Sequence, residues 1–191
     1  MPDTEGLVMT KILVVDNHGQ FTHLEVRLLN EIGVETELID NSTLPEDIDA
    51  DGIVLSGGPN INQSGECKKY LSLEVPILGI CLGMQLMAEF LGGEVGKGEF
   101  GGYADVEIEI IDKEDPIVGG LYPKVRVWAS HEDEVKKLPE GFTMTSTSHV
   151  CPIESMSDIE KNLYGVQWHP EVSHTEKGID IFKNFRHVCN S

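Results

Sequence analysis

Four short strand-like runs in the first eighty residues, three of them apolar and one alternating, constrain the fold of this 191-residue chain more than any other feature. KILVV at 11–15, VETELI at 34–39, the apolar part of DGIVLSGGP at 51–59 and VPILGI at 75–80 each have the length of a strand. Helix-like stretches lie between and after them. Phe21, Leu24, Leu28 and Ile32 fall at helical spacing before Gly33, Gly65 to Leu73 reads as a short helix, and Leu82 to Leu91 is a helix stopped by Gly92 and Gly93. Strands alternating with helices imply right-handed crossovers and a parallel sheet covered on both faces. After the glycine-rich segment 92–102 the pattern changes. DVEIEII, KVRVWA, FTMTSTS and LYGVQW read as strands with little helix between them, so antiparallel additions are expected. The last helix lies in TEKGIDIFKNFRHVC, with Ile181 or Phe182, Phe185, and Val188 or Cys189 on its buried stripe. One α/β domain over 1–191 is expected, with a mostly parallel central sheet, helices on both faces and additional antiparallel strands.

Charge and cysteine usage narrow the function. The 33 acidic residues outnumber the 14 basic ones, giving a formal charge of −19 that argues against any broad nucleic-acid footprint. No run of about 18 apolar residues is present to span a membrane. Residues 1–10, MPDTEGLVMT, have neither the basic start nor the apolar stretch of a signal peptide. They read as a loosely ordered N-terminal extension, Met9 is a possible alternative start, and the cytoplasm is the expected location. Cys67, Cys81, Cys151 and Cys189 are scattered without a CxxC, which fits neither a disulfide framework nor a zinc site. No metal is expected.

One cysteine stands apart. Gly79-Ile-Cys81-Leu-Gly83 has the form G-x-nucleophile-x-G at a strand-to-helix junction, where side chains on the flanking glycines would clash across a tight turn. The helix amino terminus favours a thiolate at Cys81, and the Leu82 N–H is placed to serve an oxyanion hole. A buried inert cysteine is the competing reading. The loop LSGGPN (55–60) ends a neighbouring strand at the same sheet edge, making Gly58 a plausible second oxyanion donor; an ordinary turn is the alternative.

A proton carrier is also present. His169 in GVQWHPEVSH follows an apolar strand pattern, and Pro170 keeps it extended. Residues two apart in extended chain face the same side, so Glu171 lies alongside His169 and can fix its tautomer. Cys81, His169 and Glu171 make a complete triad. A metal set of His169, Glu171 and His174 is possible by count but matches no strong ligand spacing.

Taken together, these motifs resemble the class I (triad-type) glutamine amidotransferases over about Lys11 to Cys189, and the resemblance implies a flavodoxin- or Rossmann-like fold. It implies Cys81 as nucleophile, His169 and Glu171 as its partners, Gly58 and Leu82 as oxyanion donors, and Gln85 as a contact to substrate glutamine. Within the class, DNHGQFTH (16–23), VWASHEDEV (127–135) and HPEVSHTEKG (169–178) are similar to the GMP synthetases, and the chain ends where a fused enzyme would continue. That resemblance implies a separate amidotransferase subunit, closest to those of archaeal two-subunit enzymes. Its partner would be an ATP-pyrophosphatase subunit that binds ATP, magnesium and XMP, with no cofactor in this chain. Ser130, Glu132 and Asp133 are implied to meet the α-amino and carboxylate groups of glutamine. Glu132, His18 and Met84 depart from common residues of the family without removing a triad member. The segments 96–103 and 130–135 are expected to be partner-responsive loops. Two other readings stay open: the same chemistry with another acceptor or a γ-glutamyl substrate, and a regulatory module with a vestigial site.

Overall fold

The computed structural model describes residues 9–191; the expectation for the N-terminal extension falls mostly on residues 1–8, outside the described residues. Nine strands form one sheet: β1 (Lys11–Asp16), β2 (Glu35–Asp40), β3 (Gly52–Leu55), β4 (Ile77–Ile80), β5 (Glu94–Ile110), β6 (Lys124–Lys137), β7 (Thr143–Thr147), β8 (Ser155–Asp158) and β9 (Leu163–Val166). Their order is β2-β1-β3-β4-β9-β8-β7-β5-β6. The first five in that order pair in parallel, and from β9 onward every pairing is antiparallel. The expected mixed sheet is therefore present, with the antiparallel part confined to one side.

The helices are α1 (Thr22–Glu31), α2 (Cys67–Tyr70), α3 (Leu82–Phe90) and α4 (Gly178–Cys189). Period-two alternation along the buried strands divides the core between the two sheet faces. Ile12, Val14, Val54, Leu78 and Ile80 pack with Leu29 of α1 and with Ile181, Phe182 and Phe185 of α4. Val15, Ile53, Leu55 and Ile77 pack on the other face with Tyr70 of α2 and with Leu86 and Met87 of α3. Strands β3, β4, β8 and β9 are buried along their whole length.

Three features go beyond or against the pattern in the sequence. The stripe of α1 turned fully inward is Thr22, Glu25 and Leu29, while Leu28 and Ile32 pack only partly against the core. The glycine-rich segment after α3 is strand, since β5 begins at Glu94, and residues 96–103 and 130–135 pair with each other instead of forming separate loops. Their register shifts between Lys97 and Gly102, and Phe100 stands 65% exposed within that irregularity. Strand β8 (SMSD) carries no apolar signature because its polar side chains are satisfied internally: Ser155 bonds Thr145 at 2.6 Å and Ser157 donates to Asp115 at 2.5 Å. No helix among the described residues is long and apolar enough to cross a membrane.

Candidate active site

Cys81 sits between β4 and α3 with φ 52° and ψ −104°, a conformation that L residues avoid. Such strain costs on the order of 1–3 kcal/mol and persists only where the surroundings over-determine it. Here the flanking glycines permit it. A Cβ on Gly79 would meet the Gly83 carbonyl carbon at 2.5 Å, and one on Gly83 would collide with the Leu55 carbonyl at the end of β3. The Cys81 N–H is bonded into the sheet through the Val166 carbonyl at 2.8 Å, so β9 holds the turn from its other side.

His169 lies three residues past the end of β9, and its N–H donates to the Trp128 carbonyl of β6 at 2.9 Å. Its Nδ1 is 2.7 Å from Glu171 Oε1, and both side chains are buried. Phe21 and the imidazole make a T-shaped contact with ring centroids 5.2 Å apart. The Cys81 sulfur lies near enough to the same ring to act on its charge. A Cβ placed on Gly57 would lie 3.3 Å from His169 Cε1 and 3.7 Å from Cys81 Cβ, so Gly57 is the gap across which the two groups meet. Burial alone would lower the His169 pKa, but the Cys81 sulfur and Glu171 carboxylate outweigh it and raise it to about 10. At neutral pH the His169 ring is therefore held as an imidazolium.

Cys81 is at the junction of two clefts that share Gly58, Pro59, Cys81 and Ser130. The larger, about 520 Å³, is also lined by Leu82, Gln85, Glu132 and Asp133. The smaller, about 210 Å³, runs beneath His18 to Thr22 to His169, Glu171 and Glu25. Gly58 is pressed against the Asn17 carbonyl, and a Cβ there would also reach Leu82 Cδ2 at 2.8 Å. Leu82 is the first residue of α3, so its N–H has no intrahelical acceptor. The expected oxyanion donors are therefore neighbours beside the sulfur.

The remaining expected residues also converge. Gln85 donates to the Asp133 carbonyl at 2.8 Å and to Gln167 Oε1 at 3.2 Å. The Ser130 carbonyl is 3.8 Å from Cys81 Sγ, as acceptor. Ser130, Glu132 and Asp133 are solvent-exposed on β6 at the rim of the larger cleft. His174 packs against Trp128 at 4.9 Å, and among the described residues its ring nitrogens do not group with His169 and Glu171 as a metal set.

Two side chains escaped the sequence analysis. Gln167 donates to Cys81 Sγ at 3.6 Å; its position two residues before His169 on extended chain was the available signal. Glu25 is 1% exposed in the smaller cleft, and neither of its carboxylate oxygens has a hydrogen-bond partner. Burial pushes its pKa well above the ordinary carboxylate range, and nearby Glu171 pushes the same way. The signal for it was a charge four residues after Phe21 and four before Leu29, inside the helical stripe.

Comparison with known proteins agrees with this geometry. The family model for class-I glutamine amidotransferases matches residues 13–188. The glutamine-hydrolyzing GMP synthase subunit of Natronomonas pharaonis is 65% identical over 181 residues, covering 95% of this chain and 98% of that protein. Its counterpart in Archaeoglobus fulgidus is 50% identical, covering 94% and 98%. The crystal structure of a Thermoplasma acidophilum protein, provisionally assigned as the corresponding GMP synthase subunit, superposes with a TM-score of 0.90 at 40% identity, covering 95% of this chain and 94% of that one. The chain belongs to the class-I glutamine amidotransferase family.

Proposed function

We propose that this chain is the glutaminase subunit of GMP synthetase, with Cys81 as nucleophile, His169 as proton carrier and Glu171 as the group that orients it. The observation that carries the reading is the placement of one buried imidazole between the Cys81 sulfur and Glu171 Oε1, at 2.7 Å from the latter. Glutamine enters the larger cleft with its side-chain amide at the sulfur. The thiolate attacks the amide carbon, and the N–H groups of Gly58 and Leu82 stabilise the oxygen that becomes negative. His169, already protonated, gives its proton to the departing nitrogen, and ammonia leaves a glutamyl thioester on Cys81. Acylation removes the sulfur's negative charge, one of the groups that hold the imidazole protonated. Its basicity then falls, which suits it to take a proton from the water that hydrolyses the thioester. Glutamate is released and the thiolate–imidazolium pair is restored.

Gln85, with Ser130, Glu132 and Asp133, lines the cleft where the α-amino and carboxylate groups of glutamine would bind. The ammonia passes to an ATP-pyrophosphatase subunit, which adenylates XMP and aminates it to GMP. ATP and magnesium belong to that partner, and the complex works in the cytoplasm. The relatives at 60–65% identity, all glutamine-hydrolyzing GMP synthase subunits, support this choice among amidotransferases. In the test, Cys81→Ala chain is combined with the synthetase subunit. GMP formation from glutamine is expected to vanish while added ammonia still supports it. Glutamine-dependent synthesis at the unmodified rate would end the reading.

A further inference from the structure

We propose that His131, Cys151, Glu154 and Glu134 hold a zinc ion in the antiparallel half of the sheet, apart from Cys81. His131, Cys151 and Glu154 are buried, and one donor atom from each lies within 4.8 Å of the others. Glu134 from β6 is 2% exposed, and its carboxylate lies beside the Cys151 thiol. His131 Nε2, Glu154 Oε2 and Glu134 Oε2 are all buried without a hydrogen-bond partner. Three orphaned acceptors around one thiol are costly to bury unless something joins them.

The hydrogen bonds around the cluster orient these atoms inward. His131 Nδ1 is 3.0 Å from the Asp133 carbonyl, which only accepts, so the ring proton sits on Nδ1 and the Nε2 lone pair is free. A backbone carbonyl on the distal nitrogen is how metal-binding histidines are usually fixed. Ser148 donates to Glu154 Oε1 at 2.6 Å and Lys136 pairs with Glu134 Oε1 at 2.6 Å, leaving the Oε2 atom of each carboxylate for a ligand. An imidazole, a thiolate and two carboxylates suit zinc and disfavour magnesium or calcium, which prefer all-oxygen shells. The charges also close. A divalent ion and Lys136 balance one thiolate and two carboxylates. The His131, Cys151 and Glu154 donors, within 4.8 Å of one another, must contract by about 1 Å to reach zinc bonds of ~2.0–2.3 Å, and Glu134, outside that set, must swing in as the fourth.

An ion here would tie β6 to the segment entering β8, next to the exposed rim of the glutamine cleft. The Asp133 carbonyl that receives His131 Nδ1–H also receives Gln85 Nε2. Because Cys81, His169 and Glu171 are themselves a nitrogen, sulfur and oxygen set, the test uses the full chain with Cys81→Ser. This protein is stripped with a chelator, dialysed against zinc chloride and analysed for bound metal, with Co2+ as a spectroscopic probe. One equivalent of zinc, a higher melting temperature and thiolate-to-cobalt charge-transfer absorbance are expected. Adding Cys151→Ser should abolish the equivalent and the absorbance, adding Glu154→Gln should weaken binding ~10–100-fold, and adding Cys67→Ser should change neither. If Cys151→Ser does not fold, His131→Asn gives the same reading. The proposal fails if the Cys81→Ser chain takes up no zinc, or if it retains one equivalent after Cys151 or His131 is replaced.

Discussion

The parallel and antiparallel halves of the sheet hold their functional atoms in different ways. In the parallel half, β3, β4 and β9 are buried along their whole length, and the reactive groups are side chains at their carboxyl ends. Cys81 is locked by a forbidden φ, two close-packed glycines and a bond to Val166. In the antiparallel half, β6 alternates between exposed and buried positions and its pairing with β5 slips between Lys97 and Gly102. What it offers Cys81 and Gln85 is backbone, the carbonyls of Ser130 and Asp133. Reactive side chains need a frame buried on all sides. A wall that meets Cys81 and Gln85 through its backbone can sit on an exposed, irregular hairpin.

The contrast breaks most visibly at Glu171. Glu171→Gln keeps the shape but loses the charge that holds His169, so kcat for glutamine hydrolysis should fall by roughly 10²–10⁴ with little change in KM. Steady-state assays with the partner present check this, and a fall confined to KM would contradict it. The same pair sets a pH dependence. His169 is raised from an ordinary 6.5 to about 10 in the folded chain, so its stabilisation is complete below pH 6.5 and is lost as pH rises toward 10. Denaturant melts of the parent and Glu171→Gln should therefore differ most near pH 6–7 and converge near pH 10.

Gly83→Ala tests the packing of the parallel half. Its methyl group would push against the Leu55 carbonyl and cost about 1–3 kcal/mol, with kcat falling as the turn shifts. By contrast Ser130→Ala leaves the carbonyl in place, and kcat/KM should change by less than tenfold, about 1.4 kcal/mol. A larger loss would mean that the Ser130 hydroxyl itself binds glutamine. The smallest effect is expected at Glu25. Burial keeps its carboxyl protonated beyond the ordinary carboxylate range, so the parent loses stability as pH rises through that raised value. Glu25→Gln should flatten that slope by on the order of 1 kcal/mol, read from melts across pH.

Much was written locally in the chain. Apolar runs ending in glycine or polar residues gave β1, β3 and β4, because strands buried on both faces leave an unbroken hydrophobic signature. The glycines at 79 and 83 marked the elbow, since a backbone contact that excludes a Cβ leaves its trace in residue identity. Strand β8 was silent, because its hydroxyls find partners on β7 and at Asp115 that no local pattern announces. Glu25 and Gln167 sat in visible periodic positions, but only packing disclosed that one is an unpartnered acid in the cleft and the other donates to Cys81.

By itself the sequence determined which residues have chemistry to offer: a thiol framed by glycines, and an imidazole with a carboxylate two positions on. Tertiary structure decided who meets whom. Cys81 and His169 are joined only because β4 and β9 are neighbours in the sheet. His131, Cys151 and Glu154 converge only because β6 folds back beside the entry to β8. Contacts between residues distant in the chain are set by strand order and sheet twist, which depend on the burial of the whole core and leave no short pattern to read.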